Sequence, residues 1–179
     1  MVELLNPSAL FLEEGENEKE GSVITAVLEG NRPIILEIQA LTSSTSFGYP
    51  QRTSSGIDKN RLQLLIAVLQ RHTKTKFDSK DVYANIIGGI KSNDRATDLA
   101  VALALLSSVK KSVISNKTLA IGEIGLSGEI RKVIQLEKRI EEAEKLGFDT
   151  VIIPKTGLSI KSKIKIIEIR SVKDLLNVL

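Results

Sequence analysis

An α/β sandwich built on a mixed sheet is the fold class this sequence predicts, and three observations predict it. Two β-branched runs meet at a Gly-Asn pair near the start and read as a hairpin. Helical and strand-like patterns then alternate to the last residue. In the middle, ATDLAVALALLSS (96–108) is apolar on nearly every side, the pattern of a helix buried between layers rather than on a surface.

The elements follow in order. SVITAVLEG (22–30) and RPIILEIQALT (32–42) form the N-terminal β-hairpin around Gly30 and Asn31. SSTSFGYPQRTSSG (43–56) is polar and contains glycine, so it is expected to be a loop whose length points to function or mobility. DKNRLQLLIAVLQRH (58–72) sets Leu62, Leu65, Ile66 and Leu69 at helical spacing behind an Asp58 cap. DVYANIIGGI (81–90) is strand-like, and the buried helix follows. TLAIGEIGLSGEIRKV (118–133) carries Gly122, Gly125 and Gly128 and suggests two short strands around a tight turn. QLEKRIEEAEKLG (135–147) is a charged amphipathic helix stopped by Gly147. FDTVIIPK and KIKIIEIR (163–170) are strands, with Lys161, Lys163 and Lys165 alternating along an expected edge. SVKDLLNVL (171–179) is a final short helix capped by Ser171.

The opening segment differs from this pattern. NPSALFLEE (6–14) permits one capped helical turn, and EEGENEKEG (13–21) has no apolar residue, as a solvated linker would. Residues 1–20 are therefore expected to be the tail of an upstream domain plus an acidic linker, and 21–179 the domain proper.

Charge sharpens the division. Residues 1–20 hold Lys19 against six glutamates, while the remainder carries 24 basic and 16 acidic groups, a surplus of +8. Such a surplus suits a polyanion, because cationic patches release counterions from phosphates; plain solubility accounts for it equally. The absence of Cys removes disulfides, thiolate zinc sites and a Cys nucleophile, and no apolar run approaches membrane-spanning length. A cytoplasmic protein without membrane contact is expected.

Little catalytic chemistry is visible. No phosphate-cradling loop occurs, and GEIGLSG (122–128) lacks dinucleotide-binding spacing. His72 is the lone imidazole and reads as a solvated residue placed favourably at a helix end, so no metal is expected. A Ser nucleophile would need a base: His72 offers no supporting context, which leaves a desolvated Lys. Ser107 and Ser108, at a helix end, read as capping or packing residues. Basic residues are more informative. Arg52, Lys59, Arg61, Arg71, Lys74 and Lys76 lie within 50–76 beside Phe47 and Tyr49, a set that suits phosphates and unpaired bases, or a solvated face with two aromatics pinning their own loop. Lys91, Arg95, Arg131 and Lys132 stand at predicted element ends, where separated segments can converge on one rim.

NPSALFLEE, EGNRPIILEIQAL, SFGYPQRTSSGIDKNRLQLLIAVLQRH, VYANIIGGI, DLAVALALLSS, IGEIGLSGEIRKV and EAEKLGF together resemble the C-terminal domain of the bacterial RadA/Sms family of recombination proteins, from about residue 5 to the end. That domain is similar in fold to the proteolytic domain of Lon protease, the ribosomal protein S5 domain 2-like arrangement. Lon-type proteases carry a Ser in a G-P-S-A-G stretch and a Lys in a G-G-L-K-E-K stretch. The first lines up with DRATD (94–98) and puts Ala96 at the nucleophile; the second lines up with IQLEK (134–138) and puts Glu137 at the Lys. The resemblance therefore implies a degenerate dyad and no peptidase activity.

It further implies a parent with a zinc-binding N-terminus and a RecA-like ATPase, assembled as a hexameric ring. The parent's implied task is DNA-dependent, ATP-driven branch migration alongside the RecA recombinase. ATP, magnesium and zinc are expected only in parts that this sequence does not contain. The domain itself is expected to scaffold the ring and bind single-stranded or branched DNA, with Arg52, Lys59, Arg61, Lys91, Arg95 and Arg131 as contacts chosen by charge and predicted location. Two other readings compete with it: a pure oligomerisation module, and a residual Ser peptidase.

Overall fold

The computed structural model describes residues 18–46, 48–157 and 160–179. The turn and most of the acidic linker expected over 6–17, and Phe47, lie outside them.

The β-branched runs form the expected hairpin. Strand β1 (Ser22–Glu29) pairs antiparallel with β2 (Arg32–Ser44), from Ser22 opposite Gln39 to Glu29 opposite Arg32. The two-residue turn begins with Gly30 at φ 62°, the left-handed conformation that glycine adopts without Cβ strain. Helix α1 (Lys59–Thr73) starts where expected: the Asp58 carboxylate accepts the Arg61 amide at 2.8 Å, and Lys74 at φ 58° ends the helix. Strand β4 (Lys80–Ile86) follows, then a 3-10 turn (Arg95–Thr97) that leads directly into α2 (Asp98–Lys110). Every α2 residue from Asp98 to Ser107 is buried, as the all-round apolar pattern requires.

Three expectations need correction. The polar stretch 43–56 is not wholly loop: β2 runs to Ser44, and Arg52–Ser55 forms β3, parallel to β4 with Arg52 opposite Val82. A four-residue polar strand has no apolar alternation, and its partner comes some thirty residues later, so no local pattern announces it. The stretch 118–133 is not one hairpin. Thr118–Ala120 is β5, inserted between β1 and the later strand β8 (Thr150–Pro154), and only β6 (Glu123–Ile124) and β7 (Ile130–Arg131) pair with each other. Strand β9 (Lys165–Ile169) is the sheet edge, but of the three alternating lysines it contains only Lys165.

The main sheet has seven strands in the order β3-β4-β2-β1-β5-β8-β9. One face packs on α1, α2 and the terminal 3-10 helix (Val172–Asn177), whose start carries a Ser171–Asp174 capping box. The other face packs on α3 (Leu136–Lys145) through Leu136, Ile140 and Ala143. That helix reaches only part of its face, and on the β2–β4 part Leu41 and Tyr83 stand opposite each other, 61% and 40% exposed.

The entry of β1 is tied to the end of α2. The Ser107 hydroxyl accepts the Gly21 amide at 2.8 Å and donates to the Ser112 carbonyl, while Ser108 accepts the Thr42 amide at 2.9 Å. Both serines are therefore anchors of the helix to the hairpin. Among the described residues, no helix is long and apolar enough to cross a membrane.

Candidate functional site

The mouth of α2 is organised by two aspartates spaced i, i+4. Asp94 precedes the 3-10 turn: its Oδ1 accepts the Ala96 amide at 3.0 Å, and its Oδ2 accepts the Leu28 amide at 3.0 Å. The same Oδ2 lies 2.8 Å from Nη2 of Arg139, whose side chain is fully buried. Arg139 also donates to the carbonyls of Ala26 and Ile134. One carboxylate thus caps the turn and joins it to β1 and α3.

Asp98, in the first turn of α2, is 2% exposed and receives Nε of Arg61 at 2.9 Å, a second guanidinium bond from Arg61 Nη2, and the Ile124 amide at 3.1 Å. Burial pushes its carboxyl pKa up, and the Arg61 contacts oppose that shift without overcoming it. The hydrogen bond to Asp98 in turn raises the pKa of Arg61. Arg61 Nη2 also donates to the Ile124 carbonyl at 2.7 Å, so the pair clamps β6 onto the helix.

Beside this mouth lies a cavity of about 700 Å³. Its walls come from the hairpin end (Val27, Leu28, Ile34, Leu36), from Ile90, and from Val133 and Ile134. Lys91, Arg95 and Lys132 supply cations, and Glu29, Asp94 and Glu123 supply acids. Asp94 is already engaged by Arg139. The three cations have no ion-pair partner among the described residues.

The structure separates the six cations named from sequence. Lys91 and Arg95 come together on the cavity. Arg52 and Arg61 are occupied internally: the Arg52 guanidinium donates to the carbonyls of Gln51, Lys80 and Phe77, pinning the turn before β4 to β3. Burial weighs against its charge, while Asp81 and Asp78 favour it. Arg131 bonds Glu129 from within its own hairpin, with Nε–Oε1 at 2.9 Å. Lys59 is exposed at the start of α1.

Ala96 is fully buried in the core cluster that also holds Leu136 and Ile140, whereas Glu137 is exposed on α3. His72 is half-buried in the last turn of α1, with Nε2 3.4 Å from the Leu126 carbonyl. Its ring lies over Gly128, where an added Cβ would fall 2.9 Å from Cγ. Among the described residues, no group of three or more His, Asp or Glu side chains is placed to hold a metal ion.

Sequence reasoning missed Arg139, Asp98 and the inward role of Asp94. A faint signal existed: Arg139 sits on the apolar stripe of its helix, between Leu136 and Ile140, where a solvated cation does not belong.

Comparison with known proteins places this geometry in context. Residues 52–157 match the family model described as "ChlI: Subunit ChlI of Mg-chelatase". Over 99% of its length the chain is 42% identical to a protein of Halalkalibacterium halodurans named DNA repair protein RadA, covering 40% of that protein. Proteins of the same name from Bacillus subtilis (46% identity, 94% of this chain, 37% of the relative) and Streptococcus pneumoniae (42%, 98% and 43%) match similarly. The chain spans about two fifths of the length of these relatives.

Proposed function

Because the chain belongs to the family described as subunit ChlI of Mg-chelatase, and proteins named DNA repair protein RadA align with 94–99% of its length at 42–46% identity, we propose that it is a non-catalytic, DNA-contacting domain of a DNA repair and recombination protein. The observation that carries this reading is the cavity at the mouth of α2, where Lys91, Arg95 and Lys132 converge without ion-pair partners among the described residues. Unpaired cations at one rim are what a phosphate backbone requires. Lys59 and Arg131 are peripheral contacts in this reading; Arg52 and Arg61 hold the fold and leave the contact set.

Residues 21–179 are assigned to a Lon-like domain of the S5 domain 2 type, and residues 1–20 to the end of an upstream ATPase plus its linker. Ala96 supports a domain without peptidase chemistry, because a buried methyl offers no nucleophile. ATP, magnesium and zinc belong, in this reading, to the larger part of a cytoplasmic parent. That parent forms a hexameric ring and drives branch migration alongside the RecA recombinase.

The test is binding of single- and double-stranded DNA to the 179-residue chain across a range of salt concentrations. Affinity falls steeply with salt, and removing both Lys91 and Arg95 as alanines weakens it and reduces the salt slope by roughly two. Salt-independent binding, or binding unchanged in that variant, overturns the site.

A second reading, a pure oligomerisation module, is favoured by one observation. Leu41 and Tyr83 form an exposed apolar pair on a part of the sheet that no helix covers among the described residues, close to β3, the last strand on that side. Ring formation by mass measurement with no DNA binding would select it.

A further inference from the structure

The cavity at the mouth of α2 is more than a charged rim, because aliphatic side chains share its lining with the three cations and with Glu29, Asp94 and Glu123. We propose that it receives one unstacked nucleobase of a single strand, with the flanking phosphates held by Lys91, Arg95 and Lys132. The inference rests on the DNA reading of this same cavity and narrows it to a ligand form.

Three features select a base with its phosphates over phosphate alone. The aliphatic part of the lining comes from three separate segments, represented by Leu28, Ile90 and Ile134, and Ile134 remains 74% exposed. A phosphate gains nothing from such walls, whereas the flat apolar face of a base is relieved of water there. The volume of about 700 Å³ exceeds what an inorganic anion fills. Finally, the exposed Asn93 amide and the Glu29 and Glu123 carboxylates, none ion-paired among the described residues, can meet the donors and acceptors of a base edge.

A base within a duplex is stacked on both faces and cannot enter without unstacking, which costs a few kcal/mol. The site therefore discriminates by strand state. Unpaired strands and the open arms of branched DNA present such bases; intact duplex does not.

The experiment uses the full chain and two pentanucleotides of equal charge, one with a fluorescent adenine analogue at its centre and normal bases elsewhere, the other abasic throughout. The base-bearing strand binds more tightly by roughly tenfold, and the analogue brightens as it leaves its stacked neighbours. Ile134→Ser, at a wall position 74% exposed, removes most of that difference and of the brightening. Equal affinity for the two strands with no brightening overturns the base pocket and leaves DNA binding standing. No binding of either strand overturns both. Equal enhancement for an intact duplex overturns the strand selectivity.

Discussion

Arg139 Nη2 lies 2.8 Å from Asp94 Oδ2, and this contact fastens α3 to the mouth of α2 through a guanidinium with no solvent exposure. Asp94 spends its other oxygen on the Ala96 amide and shares the first with the Leu28 amide. Four segments therefore meet at one carboxylate: β1, the 3-10 turn, α3 and the loop that carries Lys91. Residues 92–95 line both the large cavity and a smaller one beside Arg61 and Asp98, so the same strut shapes both.

Removing Asp94 leaves the fully buried Arg139 guanidinium without its counter-charge, and removing Arg139 leaves the Asp94 carboxylate with only the Leu28 and Ala96 amides. Arg139→Ala is expected to lower stability by about 3–5 kcal/mol, the range for breaking a buried ion pair. Asp94→Ala falls in the same range and loses the cap as well. In a denaturant-unfolding double-mutant cycle, the double variant is expected to cost less than the two single losses combined. Additive losses would show that the two residues act separately.

Asp98 provides a pH signature. Its carboxyl pKa is raised by burial, so the folded protein holds that proton more tightly than the unfolded chain does. Between the unfolded and folded values the native state binds more protons, and this group's contribution to stability is lost as pH rises through that window. Glu168 behaves oppositely: the Thr156 amide at 2.9 Å holds its pKa down, so its contribution is present above the unfolded value and lost as pH falls through the folded one. Carboxyl NMR titration is expected to put the Asp98 midpoint above the ordinary aspartate value of about 3.9. Asp98→Asn removes its part of the stability slope; a midpoint at or below the ordinary value contradicts the burial argument.

Gly21 is the tightest backbone position of the hairpin entry. It has φ 79°, and an added Cβ would lie 2.1 Å from the Ala40 carbonyl oxygen. Gly21→Ala must move the backbone and disturb the amide bond to Ser107. A loss of about 2 kcal/mol or more is expected in chemical denaturation, of which the left-handed conformation alone accounts for 1–2. A loss below about 0.5 kcal/mol would mean that the entry of β1 relaxes freely.

The hairpin, the buried helix and the Asp58 cap were legible because each is written locally, in β-branched runs around Gly30, in unbroken apolar character and in one capping side chain. Strand β3 was not, because Arg52–Ser55 is a strand only by virtue of β4, which no neighbouring residue reveals. The site divides the same way. Lys91 and Arg95 were legible as cations at element ends, but charge and position alone cannot distinguish a free cation from an occupied one. Arg61 looked like a surface residue of an amphipathic helix until Asp98 arrived beside it from another segment. Arg139 was hidden among the charges of its own helix, although its place in the apolar stripe was the clue.

Restoring one atom at Ala96 separates architecture from chemistry. The methyl is fully buried, its amide is taken by Asp94, and its carbonyl accepts the Gly122 amide at 3.0 Å. Ala96 belongs to a buried cluster made wholly of apolar side chains, Leu136 and Ile140 among them, which offers no base, and Glu137 is exposed on α3. Ala96→Ser is therefore expected to cost about 1–3 kcal/mol for burying a hydroxyl, and to give no turnover of an unfolded protein substrate. Adding Glu137→Lys supplies an amine at an exposed position, without the desolvation that makes a Lys a base for Ser, and is expected to give no turnover either. Fluorogenic casein cleavage by the double variant, inhibited by a serine-directed reagent, would show instead that the helix mouth retains a working catalytic geometry.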